Sequence, residues 1–198
     1  MKRYKILFLL LFYSLFLGCK KEEKPRDFTL QGFVFGTTYK IVYLNTEKNH
    51  QKSIDSLFFL MNKSLSTYIP TSNISKINAG DSTIIVDPFF VEVFKKSKKI
   101  HKETDGFFDP TIGNLVNSWG FGPKNEKKNL SDTEVAAQMQ FVGLDNVILK
   151  DGKIRKQHPK IYLDFNSIAK GFGLDVIARF FNSKKINNYL IEIGGEIR

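Results

Sequence analysis

The feature that most constrains this chain is the segment 160–171, where an apolar run ends in an acidic residue just before a helix. Residues 160–164 predict a short strand, and apolar residues spaced by four predict a helix over 167–181. Lys170 lies in the first turn of that helix. The free N–H groups of a helix start and a nearby lysine favour an anion, and Asp164 could hold a polar ligand or support a metal. This unit predicts a site for a phosphate-bearing ligand, although such turns are common.

Strands and helices interleave along the rest of the chain. Phe33 to Leu44 is predicted as one strand and Tyr189 to Ile193 as the last strand, because both are rich in aromatic and β-branched residues. Apolar residues at helical spacing predict a helix over 53–65. Asp87-Pro88 predicts another helix start, since a capping residue precedes a proline. We expect an α+β (mixed α/β) fold, a single domain with a central sheet flanked by helices.

The first 18 residues have the pattern of a secretory signal peptide. A basic start precedes an apolar stretch over 6–17, which is shorter than the roughly 20 residues of a membrane-spanning helix. Cys19 follows Gly18, where a bacterial lipoprotein signal has its acylated cysteine. We expect a lipid on Cys19 and a polar tether over 19–31. The protein would then be exported and anchored to a bacterial membrane, either the periplasmic face of the inner membrane or the outer membrane. An uncleaved anchor or a secreted form is the alternative.

The chain is basic, with a formal net charge of +10 at pH 7. Lysine-rich runs such as 95–99 and 124–128 carry much of this excess. A basic balance can indicate nucleic-acid or anionic-lipid partners. No nucleic-acid motif accompanies it, so we expect no nucleic-acid partner and interpret these lysines as solvated surface. Attraction to a phosphate-bearing ligand or to a membrane surface would be a second effect. The three histidines share no ligand-like spacing, so a zinc site is not expected.

Residues 105–122 concentrate glycine and aromatic residues, and two interpretations are open. Four glycines, three phenylalanines and the only tryptophan of the chain lie in this segment. It is either a helix cap with a buried aromatic loop, or a wall where a flat ring can approach the backbone closely. Tyr68, at the end of a predicted helix, has the same two interpretations: it packs in the core, or it stacks on a planar ligand.

Five segments together resemble the ApbE family in order and spacing. They are Gly36–Tyr39, Leu65–Tyr68, Phe108–Gly122, Asp164–Gly171 and Ile191–Glu196. Proteins of this family are FAD:protein FMN transferases, often exported lipoproteins, and are also described as thiamine-biosynthesis lipoproteins. The resemblance covers residues 32–198, which we interpret as the N-terminal part of an ApbE-like domain.

The resemblance implies that the protein binds FAD and, with Mg²⁺, moves FMN onto a Thr or Ser of an acceptor protein, releasing AMP. By position, the resemblance implies that FAD is contacted by Tyr68, Phe107, Phe108, Asp109, Asp164 and Lys170. It also implies that Ser167 is a Mg²⁺ ligand. The chain departs from the family at Phe35, where a methionine is common, and in the turn 165–167, where smaller residues are common. No catalytic base is identified, because His158 is interpreted as an exposed loop residue.

Family members continue beyond the position at which this 198-residue chain ends. The resemblance implies that most Mg²⁺ ligands and a nucleotide-contacting segment lie in that continuation. Asp164 and Ser167 alone make a poor site for an ion that prefers six oxygen ligands. We therefore expect the N-terminal portion of a transferase, incomplete at its C-terminus. Three alternatives stay open: hydrolysis of FAD to FMN and AMP, flavin binding without catalysis, and a fragment that does not fold alone.

Overall fold

The structure is a computed structural model that describes residues 24–123, 125 and 127–198. The predicted signal peptide and Cys19 lie outside the described residues. The strands in this part of the chain are β1 (Arg26–Val34), β2 (Thr37–Thr46), β3 (Val147–Lys150), β4 (Lys153–Lys156), β5 (Tyr189–Ile193) and β6 (Glu196–Ile197). The α-helices are α1 (Gln51–Leu65), α2 (Asn73–Asn78), α3 (Pro88–Glu103), α4 (Gly113–Ser118), α5 (Asp132–Met139) and α6 (Asn166–Ser183). The predicted α+β (mixed α/β) fold is confirmed.

The central sheet is antiparallel, with the strand order β1-β2-β5-β6, while β3 and β4 form a separate hairpin. Because β1 begins at Arg26 and pairs with β2, the prediction of a polar tether over 19–31 is wrong for residues 26–31. Phe28 and Leu30 are buried within that stretch. They give it the alternating apolar face of a strand, which a solvated tether lacks.

One face of the central sheet packs against helices. Side chains alternate along β2, so that Tyr39, Ile41 and Tyr43 point into the core. α1 and α6 cover this face and contribute Phe58 and Phe181 to the same cluster. A second cluster lies among α1, α2, α3, α6 and the β3–β4 hairpin. In the described part of the chain, the opposite face of the sheet is exposed or half-buried.

The prediction of one strand over 33–44 is wrong, because this stretch contains a hairpin turn. Phe35 and Gly36 join β1 to β2, and both have positive φ, 52° and 76°. Two left-handed residues in a row suit the twist of an antiparallel pair. Glycine adopts this backbone freely, but phenylalanine rarely does, so the usual Asn-Gly or Asp-Gly signal is missing. The ring of Phe35 packs edge-on against Phe58, with centroids 5.7 Å apart.

The segment 160–164 lies outside the sheets, so the prediction of a strand there is wrong. Tyr162 makes an isolated parallel bridge with Ile112. Leu163, which follows Tyr162, pairs with the side chain of Asn78 in the way it would pair with a neighbouring strand. Asn78 Nδ2 donates to Leu163 O and Asn78 Oδ1 accepts from the Leu163 N–H, both at 2.8 Å. These partners are a side chain and a loop, and neither leaves a periodic pattern in the sequence.

The helices predicted from apolar spacing are confirmed. α3 begins at Pro88, and Asp87 Oδ1 accepts hydrogen bonds from the N–H groups of Phe89 and Phe90, which caps the helix as predicted. The predicted helices over 53–65 and 167–181 correspond to α1 and α6. Among the described residues, no helix has the length and apolar character needed to span a bilayer.

Candidate functional site

A cavity of about 890 Å³, here named the main cavity, opens at the end of the central sheet where β2 begins. Its walls come from the β1–β2 turn, the end of α1, the segment 109–121 and the first turn of α6. The volume lies within the usual range for small-molecule sites, about 300–1,000 Å³. The predicted site residues that line it are Tyr68, Asp109, Asp164, Ser167 and Lys170.

Backbone contacts place the segments 108–122 and 164–171 side by side. The Asp164 N–H donates to Pro110 O at 2.7 Å, next to the parallel bridge between Tyr162 and Ile112. The two segments are far apart in the sequence, but they meet at one wall of the main cavity. α4 then begins at Gly113 and extends away from this contact.

Side-chain hydrogen bonds attach the segment 65–68 to both neighbours. Tyr68 Oη donates to Phe121 O at 2.7 Å, which links the end of α1 to the aromatic segment. Asn166 Nδ2 donates to Thr67 Oγ1 at 3.3 Å, which links the same loop to the start of α6. Tyr68 is 55% exposed and lines the main cavity, so it does not pack in the core, and its stacking on a planar ligand stays a prediction.

Asp164 is a buried carboxylate at the wall of the main cavity. It is only 8% exposed, and its Oδ1 accepts from the Asn166 N–H at 2.7 Å. Burial raises the pKa of Asp164 above its ordinary value, and the hydrogen bonds from Asn166 oppose this rise. The bond to the Asn166 N–H also satisfies a free donor at the start of α6. Asp164 therefore holds the helix start in place while facing the cavity.

Lys170 provides the positive charge of the main cavity. Its Nζ lies 3.1 Å from Glu196 Oε1, and both side chains are partly exposed, so the ion pair can rearrange around a ligand. The β5–β6 turn packs closely here: the Gly194 N–H donates to Thr38 O at 3.0 Å. A Cβ on Gly194 would lie 2.7 Å from Thr37 Cγ2 and 3.3 Å from Lys170 Cδ. Only a glycine lets this turn approach the lysine stem so closely.

Asp109 lines the main cavity, but its carboxylate is mostly used within the protein. Oδ1 accepts from the Thr111 N–H at 2.8 Å and from Thr111 Oγ1 at 2.6 Å, while Oδ2 accepts from the Leu144 N–H at 2.9 Å. His101 Nδ1 lies 3.5 Å from the same Oδ2. Asp109 therefore fixes the shape of the aromatic segment.

Phe107 and Phe108 do not line the main cavity. The side chain of Phe107 is 97% exposed, and Phe108 is half-buried with its carbonyl 2.8 Å from His101 Nδ1. Their contact with FAD stays a prediction. The interpretation of 105–122 as a buried aromatic loop is wrong for Phe107 and for Phe121, which is 73% exposed. The interpretation as a wall for a flat ring stays a prediction, and Phe121 lines the main cavity.

Sequence reasoning missed two polar residues of the main cavity, Asn62 and Asn166. Asn62 lies between buried residues near the end of α1, and this polar interruption of an apolar stretch was the available signal. Asn166 looked like a cap for α6, but its N–H is itself capped by Asp164. Glu196 lies in a segment that resembles the family, but its ion pair with Lys170 was not predicted, because the β5–β6 hairpin brings the two residues together.

The described residues can supply part of a magnesium shell. No three His, Cys, Asp or Glu side chains in the described ranges lie close enough together to hold a metal ion. The Asp164 carboxylate and the Ser167 hydroxyl are nevertheless hard oxygen donors at the same cavity wall. Mg²⁺ often combines one or two carboxylates with water and substrate phosphates. The pair fits such a shared site, but not a complete protein shell.

Comparison with known sequences gives consistent matches. The sequence profile of the ApbE family matches residues 35–198. The FAD:protein FMN transferase of Vibrio cholerae is 37% identical over 195 residues, which covers 93% of this chain and 57% of the relative. The enzyme of the same name from Haemophilus influenzae is 35% identical over 196 residues, which covers 91% and 56%. The chain thus spans little more than half the length of these curated relatives.

Solved structures agree with the sequence matches. The flavin transferase ApbE from Vibrio cholerae superposes with a TM-score of 0.81 at 34% identity, covering 88% of this chain and 59% of that one. The apo flavinyl transferase ApbE of Pseudomonas stutzeri gives 0.80 at 25% identity, covering 88% and 61%. Four of the five segments that resemble the family in sequence contribute residues to the main cavity. The fifth, Ile191–Glu196, lies next to it through the ion pair between Glu196 and Lys170. The chain belongs to the ApbE family.

Proposed function

We propose that this chain is the part of an FAD:protein FMN transferase that binds FAD in the main cavity. The observation that supports this is the convergence of separated segments on one cavity, with Asp164, Lys170 and the start of α6 at one wall. In the reaction, the hydroxyl oxygen of a Thr or Ser on the acceptor bonds to the phosphorus of the FMN half. The phosphoanhydride bond of FAD breaks, AMP leaves, and the hydroxyl proton is released.

The cavity residues suit the parts of FAD in different ways. Lys170 attracts the pyrophosphate, because its ammonium group presents positive charge to an anion at the cavity wall. The positive end of the α6 dipole adds to this attraction, although Asp164 already accepts from the Asn166 N–H. The exposed ring of Tyr68 offers a flat face for the isoalloxazine or the adenine. The hydrogen bond from Tyr68 Oη to Phe121 O holds that ring in position.

Mg²⁺ is part of the proposal, with Asp164 and Ser167 as the residues of this chain that would hold it. Mg²⁺ would neutralise charge on the phosphates of FAD. Burial raises the pKa of Asp164 and disfavours its ionised form, so a cation bound beside it would stabilise the carboxylate.

Export and lipid anchoring are a separate proposal that rests on residues 1–19. The basic and apolar start followed by Gly18-Cys19 supports a lipid on Cys19. The protein would then act outside the cytoplasm, at the inner membrane or the outer membrane. Mass spectrometry of the protein purified from membranes tests this, because a lipid on Cys19 adds acyl mass that a Cys19→Ser variant lacks.

The transfer reaction is tested with an acceptor protein that the Vibrio cholerae flavin transferase modifies under the same conditions. The protein is incubated with FAD, Mg²⁺ and this acceptor, and the mass of the acceptor is measured by mass spectrometry. We expect added FMN with the native protein, much less with Lys170→Met, and no change with Lys150→Met, which alters an exposed lysine outside the cavity. An unmodified acceptor would overturn the proposed activity.

The same experiment separates the two remaining alternatives. AMP released without an acceptor indicates hydrolysis of FAD, with water in place of the acceptor hydroxyl. Tight FAD binding without AMP release, with or without Mg²⁺, indicates a flavin-binding protein that does not catalyse transfer.

A further inference from the structure

A second concave surface, here named the basic cavity, lies at the other end of the central sheet. It has a volume of about 520 Å³ and is lined by the end of β2, the loop that follows it and the loop 184–188 after α6. β2 begins beside the main cavity and ends in the basic cavity. Its 10 residues, at about 3.4 Å each, separate the two cavities by about 30 Å.

Positive charge dominates the basic cavity. It is lined by Lys48, Lys184 and Lys185, against a single lining acid, Glu47. None of the three lysines forms an ion pair with another residue that the structure describes. Burial, and then the charges of Lys184 and Lys48, lower the pKa of His50, which shows that both ammonium groups act on one point. These cations are therefore available to an external anion.

The basic cavity also lies close to the proposed lipid site. Pro25 forms part of its wall, and Cys19 is only six positions earlier in the chain. Even a fully extended stretch of that length reaches only about 20 Å. We propose that the basic cavity docks onto the anionic lipid headgroups of the membrane to which Cys19 anchors the protein. This inference rests on the lipid anchor of the proposed function.

Electrostatics makes the docked orientation specific. The potential of an anionic membrane falls off within a Debye length, about 8 Å at physiological salt, so the tether must allow close approach. Lys24 and Arg26 lie near Pro25 and the end of β2, beside the basic cavity, and add to the attraction. Asp27 and Glu47 oppose it. The main cavity, about 30 Å away along β2, then opens away from the bilayer. An acceptor protein can reach it without passing the membrane surface.

The test measures lysine accessibility on vesicles. The full chain is expressed in a bacterium, purified in detergent and mixed with vesicles of phosphatidylcholine, with or without phosphatidylglycerol. Flotation measures vesicle binding, and mass spectrometry measures the acetylation rate of each lysine. We expect Lys48, Lys184 and Lys185 to be acetylated more slowly on phosphatidylglycerol vesicles only. Lys95 and Lys150, exposed lysines outside the basic cavity, should react at equal rates on both vesicles.

Two variants sharpen the test. Each basic residue near an anionic surface changes the docking constant by about fivefold, so Lys184→Ala/Lys185→Ala should weaken docking by about 25-fold. Lys48 should then lose its protection. Lys95→Ala/Lys150→Ala removes the same charge elsewhere and should leave the protection of Lys48 unchanged. Salt at 0.5 M should also remove the protection, because it screens surface charge.

Each outcome decides the proposal. Flotation with both vesicles but equal lysine rates would overturn docking and leave the anchor intact. Flotation with phosphatidylglycerol vesicles only, with protected lysines, would support docking and contradict the anchor. No flotation with either vesicle would overturn both. Equal protection by free inorganic phosphate would assign the cavity to a soluble anion and overturn the lipid proposal.

Discussion

The carboxylate of Asp164 is stabilised by few contacts for a group so deeply buried. Its pKa in the folded protein is raised above the ordinary value of 3.8, mainly by burial. The folded state therefore binds the proton more tightly than the unfolded state does. The stability that this proton contributes is fully present below pH 3.8 and is lost as the pH rises through the folded-state pKa.

Asp164→Asn should remove this dependence, because an amide cannot ionise and still accepts the hydrogen bond from the Asn166 N–H. We expect the melting temperature of the variant to gain on the native protein as the pH rises from below 3.8 towards neutrality. Calorimetry across this range measures the difference. Asp151→Asn makes the same chemical change at an exposed turn. If both variants show the same pH trend, burial of Asp164 is not its cause.

The ring and the hydroxyl of Tyr68 should make separable contributions to FAD binding. Tyr68→Phe keeps the stacking face and loses only the bond to Phe121 O that positions the ring, so FAD binding should weaken by at most about 1.5 kcal/mol. Tyr68→Ala also loses stacking, about 1–3 kcal/mol more. Quenching of flavin fluorescence gives both dissociation constants. Phe59→Ala, which truncates an exposed aromatic residue outside the main cavity, should bind FAD normally. Equal losses in Tyr68→Phe and Tyr68→Ala would exclude stacking.

At the scale of elements, the segment before α6 depends on α2 for its position. Asn78→Ala would leave the N–H and the carbonyl of the fully buried Leu163 without their partners. Each unsatisfied group costs about 1–3 kcal/mol, so we expect a loss of about 2–6 kcal/mol in the free energy of unfolding. FAD binding should weaken as well, because Asp164 follows directly. Urea denaturation and FAD titration measure the two effects.

Asn73→Ala is the matched control for this prediction. It lies in the same helix and loses one hydrogen bond, from Nδ2 to Asp87 Oδ2 at 2.9 Å. Its cost should be smaller, about 1 kcal/mol, with no effect on FAD binding. Equal effects of the two variants on FAD affinity would show that α2 does not position the site.

Local signals explain why some elements could be predicted and others could not. α1, α3 and α6 could be predicted from the spacing of their apolar residues, and α3 also from its cap at Asp87. These signals lie within a few residues of each other in the sequence. The β1–β2 turn was missed because Phe35 adopts a positive φ that its side chain does not favour. The segment 160–164 was misassigned because its partner, Asn78, is 85 positions away. Tertiary contacts decide such cases.

The residues of the candidate site also divide into those that the sequence could predict and those that it could not. Asp164, Ser167, Lys170 and Tyr68 were predictable, because each lies within a recognisable segment and lines the main cavity. Contact of Phe107 with FAD was predicted through its backbone and its side chain; the side chain is exposed to solvent, and the contact stays a prediction. Whether a residue in a correct segment faces the ligand is set by backbone geometry, which family resemblance does not specify.

For the whole molecule, the decisive question is whether this 198-residue chain is a folded unit that recognises FAD. Two clusters of buried side chains, on either side of α1 and α6, provide a core that spans the described part of the chain. A ligand that binds only the folded state stabilises it by about 2.7 kcal/mol at 100 times its dissociation constant. For a chain of this size that corresponds to a rise of about 5–10 °C in the melting temperature.

We therefore expect one sharp thermal unfolding transition whose melting temperature rises with FAD concentration. Circular dichroism measures this transition. Lys170→Met should retain the transition and lose most of the shift, because it removes the positive charge of the main cavity while leaving both core clusters intact. Lys150→Met should behave like the native chain. A broad transition without FAD would support the alternative that the chain is a fragment that does not fold alone. A sharp transition that FAD does not move would mean that it folds without forming the nucleotide site.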